Sequence, residues 1–302
     1  MDESLINRIL EKYDIKCNSS LIKIEVMNQY SHIFIMDLQG KKLIVKILDK
    51  FKYDNLENIY NCLSDNIYVE KPLKTIDGKY NFTYKDKVII VYRELQKINT
   101  IPSPVWWANC LNSIHNTRVN CNNFSKFNLN LSEETLNLFK NASQYIGYET
   151  KRKIQYLLNN VSENEPISNS KLVLCHNDPY NSNVMQDNNE YKLIDTDGMG
   201  LSLKEIDFQR LFHNNVISSL DINNSIDFFD KFICNYEKNK NDKIDINLLK
   251  KIYIYDLIRA FSWLTIVSND KNRLDRERQL EQLSLYEKSI IEEKHLKVLK
   301  KL

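Results

Sequence analysis

The spacing of apolar and polar positions divides the chain near residue 93. Before that point short alternating or wholly apolar runs dominate. Residues 5–13 read as a short leading helix. IKIEVM (22–27), SHIFIMDL (31–38) and LIVKIL (43–48) carry β-branched and aromatic residues at strand spacing, with Gln39-Gly40-Lys41 as a turn. Residues 54–65 place Leu56, Ile59, Tyr60 and Leu63 at i, i+3, i+4, i+7, which predicts a helix, with Asp54 as its cap. NIYVEKPLKT (67–75 and the residue before) and KVIIVYREL (87–95) read as two more strands around an Asp77-Gly78 turn.

From about residue 94 the period changes to 3.6. Pro104 sits at a predicted first turn, and Val105, Ala108, Leu111 and Ile114 recur at helical spacing. A helix capped by Ser132 and led by Glu133 and Glu134 is expected to run, with its continuation, to about Val161, followed by a loop with Pro166. Helices resume near 203–213, 224–238, 246–268 and 278–300. One strand-like insert interrupts them: KLVLC (171–175), a polar loop, and YKLID (191–195). The expected organisation is α+β, with residues 1–93 as a small antiparallel-sheet lobe with one helix and residues 94–302 as a large, mainly helical lobe.

Composition narrows the function classes. The 302 residues include only 5 glycines, where average usage would give about 21. Gly40, Gly78, Gly147, Gly198 and Gly200 cannot be fitted to G-x-G-x-x-G or G-x-x-x-x-G-K-[ST]. A nucleotide, if bound, is not held by a glycine-cushioned loop of those kinds. Lysine plus arginine (42) balances aspartate plus glutamate (40), so bulk charge gives no argument for nucleic acid. No run approaches the length of a membrane helix, and MDESLINRIL lacks the pattern of a secretory signal. The six cysteines are dispersed, without a C-x-x-C pair, and are expected to be buried free thiols of a cytoplasmic chain.

The insert carries the chemistry. Its first strand ends at a loop holding His176, Asp178 and Asn183, and its second ends at Asp195, followed by Asp197. Asn183 and Asp195 thus fall at the ends of adjacent strands, as oxygen ligands suited to a hard cation such as Mg²⁺. Asp178 lies five residues before Asn183 as a carboxylate able to accept a hydroxyl proton. Metal oxygens beside a base are what phosphoryl transfer requires.

H-N-D-x-x-x-x-N, followed twelve residues later by the aspartate of I-D, resembles the signature of the aminoglycoside phosphotransferase and choline kinase superfamily. C-H-N-D at 175–178 is similar to its bacterial choline-kinase-like and spore-coat-kinase-like branches. LNSIH (111–115), GMG (198–200) and IDFQRLF (206–212) resemble further family segments, and the resemblance covers about residues 20–215. It implies a protein-kinase-like fold, ATP and Mg²⁺ as cofactors, and a small-molecule hydroxyl as acceptor. On that resemblance Asp178 is the catalytic base and His176 braces its loop, anchored by Asp207. Asn183 and Asp195 hold the metal, with Asp197 either a third metal-side carboxylate or a turn residue. Lys46 pairs with the α/β phosphates, oriented by Glu57, and Tyr92, Arg93, Glu94 and Leu95 form the adenine hinge. Two departures stand out: Pro179 replaces the usual leucine, and the hairpin EVMNQYSHIF has no glycine, so that backbone N–H groups of 28–31 would have to approach phosphate.

The acceptor is less legible. Tyr180, Asp256, Arg259, Phe261 and Trp263 are candidates to line its pocket. Trp263, Phe261 and Tyr255 would offer aromatic faces to a quaternary ammonium; Asp197, Asp256 and Glu205 would offer carboxylates to a polyamine sugar. Packing in the helical core is the competing reading for the aromatics, as it is for Trp106, Trp107 and His115, and His32 is expected to be a solvent-exposed strand residue. The alternative to an enzyme is a pseudokinase-like nucleotide-binding or spore-coat structural protein. Acceptor, pathway and oligomeric state are left open.

Overall fold

Five antiparallel strands in the order β1-β2-β3-β5-β4 form the first sheet. A computed structural model describes residues 1–28, 32–49, 56–120, 124, 126, 131–161, 172–218, 222–238, 243–269, 276–292 and 297. The sheet consists of β1 (Lys23–Asn28), β2 (Ile33–Leu38), β3 (Lys41–Asp49), β4 (Phe82–Tyr84) and β5 (Lys87–Arg93). The chain divides into two compact units, the first comprising Met1–Thr100, Thr117–Ser125 and Ser182–Met199, the second Ile101–Asn116, Lys126–Asn181 and Gly200–Leu302.

In the first unit, Met36, Leu43, Val45, Ile89 and Val91 project from one face of the sheet onto Leu5 and Ile9 of α1 (Glu3–Lys12). Asp2 caps that helix by accepting from the Leu5 N–H at 2.7 Å. The predicted helix after the third strand is present as α2 (Leu56–Cys62); its expected cap, Asp54, lies outside the described residues. So do residues 29–31 of the glycine-free hairpin, while His32 is exposed with a φ of 48°.

NIYVEKPLKT is not a strand. It makes one isolated parallel bridge, Val69 to Leu193, through Glu70 N–H to Leu193 O and Leu193 N–H to Tyr68 O, and a separate bond from Leu73 N–H to Val91 O. Pro72 has no N–H to extend them into a ladder. A second sheet, in the order β6-β8-β9, joins β6 (Gln96–Lys97), β8 (Val184–Asp187) and β9 (Glu190–Leu193). Strand β9 coincides with the strand expected at 191–195, whereas β8 falls in the stretch expected to be a polar loop. Asn188 and Asn189, with φ of 48° and 71°, make the two-residue turn between them.

The second unit is helical around a short antiparallel pair, β7 (Leu172–Cys175) with β10 (Gly200–Leu203). Its helices are α3 (Pro104–His115), α4 (Leu131–Ala142), α5 (Tyr148–Asn159), α6 (Lys204–Ser218), α7 (Ile222–Lys238), α8 (Ile246–Ser268) and α9 (Arg276–Glu292). Ser103 caps α3 with Pro104 in its first turn. The helix and continuation expected to about Val161 are two separate helices, α4 and α5, with Gly147 at the cap of the second. Helix α4 starts at Leu131, so Ser132 lies inside it rather than at its cap. Phe208, Phe212, Phe229, Phe232 and Tyr236 are buried together where α6 and α7 meet, and Trp107 is buried in α3. This is the two-lobed, protein-kinase-like α+β fold.

Among the described residues no helix is long and apolar enough to cross a membrane. Cys110 and Cys175 are buried, but Cys17 and Cys62 are partly exposed and Cys234 is exposed, which corrects the expectation of uniformly buried thiols. Cys234 lies on the outward face of amphipathic α7.

Candidate active site

In the first unit, Lys46 sits in the middle of β3, paired in register with Ile33 on one side and Ile90 on the other. Its neighbours along the strand are apolar, so the side chain is carried into a largely buried position. There its Nζ donates to Asp195 Oδ1 at 2.6 Å and to Asp197 Oδ2 at 3.1 Å. Burial pulls the ammonium pKa down, but Asp197 and Asp195 outweigh it and hold the group above its ordinary value. The Tyr92 ring lies 5.7 Å from the same nitrogen.

The β8–β9 hairpin positions the oxygens. Val184 faces Leu193 in register, and the Ile194 N–H donates to the Asn183 carbonyl at 2.8 Å. Asn183 and Asp195 are therefore held at the base of one hairpin. Asp195 takes a left-handed φ of 63°, unfavourable for a residue with a Cβ, and its side chain is 44% exposed. Asn183, Asp195 and Asp197 supply an all-oxygen donor set of the kind a hard divalent cation takes; the open Asp195 carboxylate suits one that keeps sites for phosphate and water.

Glu57 and Lys46 are not brought together. Glu57 Oε2 accepts from the Tyr80 N–H at 2.9 Å and Asn81 Nδ2 at 3.2 Å. One turn further along α2, Tyr60 bonds Tyr92 Oη at 2.5 Å and Thr196 Oγ1 at 2.6 Å. Burial pushes both phenols up, so they act as neutral hydrogen-bonding groups. Sequence reading placed Tyr60 only as an apolar helix position and missed this tie. In the expected hinge, Tyr92 ends as a buried side chain of β5. Arg93 bonds Glu70 and Asp187, and the Glu94 N–H is occupied by the Lys42 carbonyl at 3.3 Å. Leu95 lies between β5 and β6.

In the second unit, the loop after β7 carries Asp178, which is half-buried. Asp207, in the first turn of α6 and fully buried, accepts the N–H of His176 at 2.9 Å and of Asn177 at 2.7 Å. Asn177 is left-handed at φ 65°, and the Tyr180 N–H closes a turn onto the Asp178 carbonyl at 2.9 Å. His176 itself is buried.

His115 joins the same brace, with Nε2 3.0 Å from Asp207 Oδ2 and Nδ1 2.8 Å from Tyr236 Oη. His115, Cys175 and Asp207 bring ligand atoms within 4.8 Å of one another. Burial drives the Cys175 thiol well up, and its Sγ donates to the Leu203 carbonyl, so the trio is a hydrogen-bonded core rather than a metal centre.

The expected acceptor residues separate. Phe261 is buried and Trp263, two positions on, is 44% exposed on another face of α8, so with Tyr255 they form no cage. Glu205 is buried, with burial raising its pKa, and Asp197 is held by Lys46. Asp256 is 2% exposed and paired with Arg210 and Arg259. Arg210, absent from the sequence-derived candidates, donates from Nη1 to Tyr180 Oη at 3.4 Å and forms an ion pair through Nη2 with Asp256 Oδ1 at 3.1 Å.

No family model and no curated protein matches the sequence. Solved structures do match in fold. A spectinomycin phosphotransferase in complex with ADP and spectinomycin aligns at TM-score 0.74 and 17% identity over 100% of this chain and 99% of that one. A microcompartment-associated aminopropanol kinase aligns at TM-score 0.71 and 12% identity over 98% and 100%. A choline kinase from Streptococcus pneumoniae aligns at TM-score 0.55 and 15% identity over 99% of each chain.

Proposed function

We infer that the chain is an ATP- and Mg²⁺-dependent phosphotransferase acting on a hydroxyl of a small molecule, a member of the aminoglycoside phosphotransferase and choline kinase superfamily. The observation that carries the reading is the strand lysine Lys46, buried and clasped between Asp195 and Asp197 at 2.6 and 3.1 Å. A scaffold has no need to keep a lysine and two carboxylates together at such a desolvated position. The small-molecule kinases that share the fold support the acceptor class.

Mg²⁺ bound by Asn183 and Asp195, with Asp197 beside them, would supply charge neutralisation for the phosphates. Lys46 contributes a fixed positive charge for phosphate oxygens, released from Asp195 and Asp197 as they engage elsewhere. Asp178 accepts the proton of the acceptor hydroxyl at its carboxylate. Asp207 holds the backbone on which Asp178 stands, which limits the reorganisation that proton transfer demands. The adenine hinge is assigned to 93–95, with Tyr92 behind it.

A non-catalytic nucleotide-binding protein is the competing reading, favoured by the Glu57 carboxylate being turned to Tyr80 and Asn81. Mg-ATP turnover measured with and without a panel of amino-alcohols, aminoglycosides and sugars separates the two. Acceptor-dependent ADP release supports the kinase; stabilisation by Mg-ATP without any turnover supports the binding protein. The free thiols fit a cytoplasmic setting.

A further inference from the structure

Pro179 and Tyr180 directly follow Asp178 and take no part in the chemistry assigned above. The Tyr180 N–H donates to the Asp178 carbonyl at 2.9 Å. A bond from an N–H to the carbonyl two residues back is that of a γ-turn, here centred on Pro179. The proline ring fixes φ close to the value an inverse γ-turn needs, and it steers the residue before it toward extended backbone. Pro179 is buried, so the turn is packed as well as constrained by its ring. The backbone of Asp178 is thereby narrowed on its C-terminal side.

The far end of this turn is held from α6. Arg210 Nη1 donates to Tyr180 Oη at 3.4 Å, and Nη2 pairs with Asp256 Oδ1 at 3.1 Å. Asp256 is itself placed by Arg259 Nη2 at 2.6 Å and by Gln209 Nε2 at 2.9 Å. The two arms of the Arg210 fork therefore end on different partners, a buried carboxylate of α8 and a phenol of the loop. Burial pulls the Arg210 pKa down, but Asp256, Tyr180 and Asp178 outweigh it and keep the guanidinium charged. Burial raises the Tyr180 phenol, which stays neutral and accepts from it. Arg210 lies one turn after Asp207 on the same face of α6. Asp207 takes the N–H groups of His176 and Asn177 on one side of Asp178, and Arg210 takes Tyr180 on the other. One helix face thus brackets the base.

We propose that Arg210 and Tyr180 are positioning residues for Asp178: the guanidinium, seated on Asp256, clamps the phenol and through the Pro179 turn fixes the base. The proposal rests on the phosphotransferase reading above and assigns two residues to its proton-accepting step. The 3.4 Å bond is long and contributes little stability. Its effect is on placement, where a shift of about 1 Å in a catalytic group costs on the order of 10²-fold in rate.

Two variants and their combination test this. Tyr180→Phe keeps the ring and removes the phenol oxygen. Arg210→Lys keeps a charge for Asp256 but, as a point charge, cannot span both partners. ADP release from Mg-ATP is measured with ethanolamine, 1-aminopropan-2-ol, choline, spectinomycin, kanamycin and glucose, and the acceptor with the highest rate is carried forward. Each variant is expected to lower kcat about 10- to 100-fold, with KM for ATP and Mg-ATP thermal stabilisation near the native values. The double variant should be no slower than the slower single one, because both changes cut the same link. Amide exchange of residues 176–181, read by mass spectrometry, should rise in both variants while that of β7 stays native. A native kcat in either variant, losses that add in the double variant, or unchanged exchange over 176–181 overturns the proposal. A native chain that releases ADP with none of these acceptors overturns the kinase reading instead, and the exchange measurement still decides whether the clamp holds the loop.

Discussion

The Tyr60 hydroxyl lies 2.6 Å from Thr196 Oγ1, which ties α2 to the residue between Asp195 and Asp197. The same hydroxyl bonds Tyr92 of β5. In this fold α2 therefore reaches the 195–197 loop through a phenol, while Glu57 serves the backbone of residue 80. Tyr60→Phe keeps the buried ring and removes both bonds. It should cost about 1–2 kcal/mol in stability, read from urea unfolding, and weaken Mg-ATP binding as the 195–197 loop loosens. Glu57→Gln, which keeps the Tyr80 bond, should leave Mg-ATP binding within a few-fold. A much larger effect of Glu57→Gln than of Tyr60→Phe would restore Glu57 as the residue that orients Lys46.

Asp207 accepts two consecutive backbone N–H groups and faces His115, all in a buried setting. An asparagine there presents one acceptor oxygen and one NH₂, so one backbone N–H loses its partner and meets a donor. Asp207→Asn should destabilise the chain by roughly 2–4 kcal/mol. At temperatures where it is still folded, transfer should fall more than Mg-ATP binding, because the loop bearing Asp178 is released. Equal losses in both measurements would mean that Asp207 supports only global stability.

The fold class was legible because two hydrophobic periods occupy separate stretches of chain, and because Lys46, Asp178, Asn183 and Asp195 recur at telling spacings. The positions that misled carry signals whose outcome depends on distant partners. Residues 67–75 have strand-like composition, but Pro72 prevents a ladder. The Asn188-Asn189 pair was a hairpin signal hidden inside a polar stretch. Phe261 and Trp263 share a helix, and only burial tells that they face apart. Tyr60, Arg210 and the pairing of Asp256 were out of reach, since their partners lie 32 to 136 positions away for Tyr60, and 30 and 46 for Arg210.

Asp178 and Asp195 should separate cleanly by substitution. Asp178→Asn removes the proton acceptor and leaves the oxygens of the first unit intact, so Mg-ATP stabilisation persists while transfer falls about 10²–10⁴-fold. Asp195→Asn removes a charged donor from the set and a partner from Lys46, so Mg²⁺-dependent stabilisation by ATP should be lost. Full turnover by Asp178→Asn, or an unchanged Mg-ATP thermal shift in Asp195→Asn, contradicts the assignment of the residue concerned.

Acid should destabilise the second unit through His213. Burial lowers its imidazole from the usual value near 6.5 to about 4, with Asp256 opposing and Arg210 and Arg259 adding to the fall. The side chain is nearly inaccessible, and its Nε2 bonds Tyr286 Oη at 2.5 Å. Between these two values the unfolded chain binds the proton and the folded chain does not, so stability falls as pH is lowered from about 6.5 to about 4. The full effect is roughly 3 kcal/mol. Asp256 works on the same side but later. Despite the opposing cost of burial, the two arginines hold it at about 2, so its contribution is complete above the ordinary carboxylate range and is lost only as pH falls toward 2. Urea unfolding at pH 7, 6 and 5 isolates the histidine. His213→Gln, which preserves a donor for the Tyr286 hydroxyl, should flatten the loss between pH 6.5 and 5. A variant that keeps the native slope would assign the acid sensitivity to a different group.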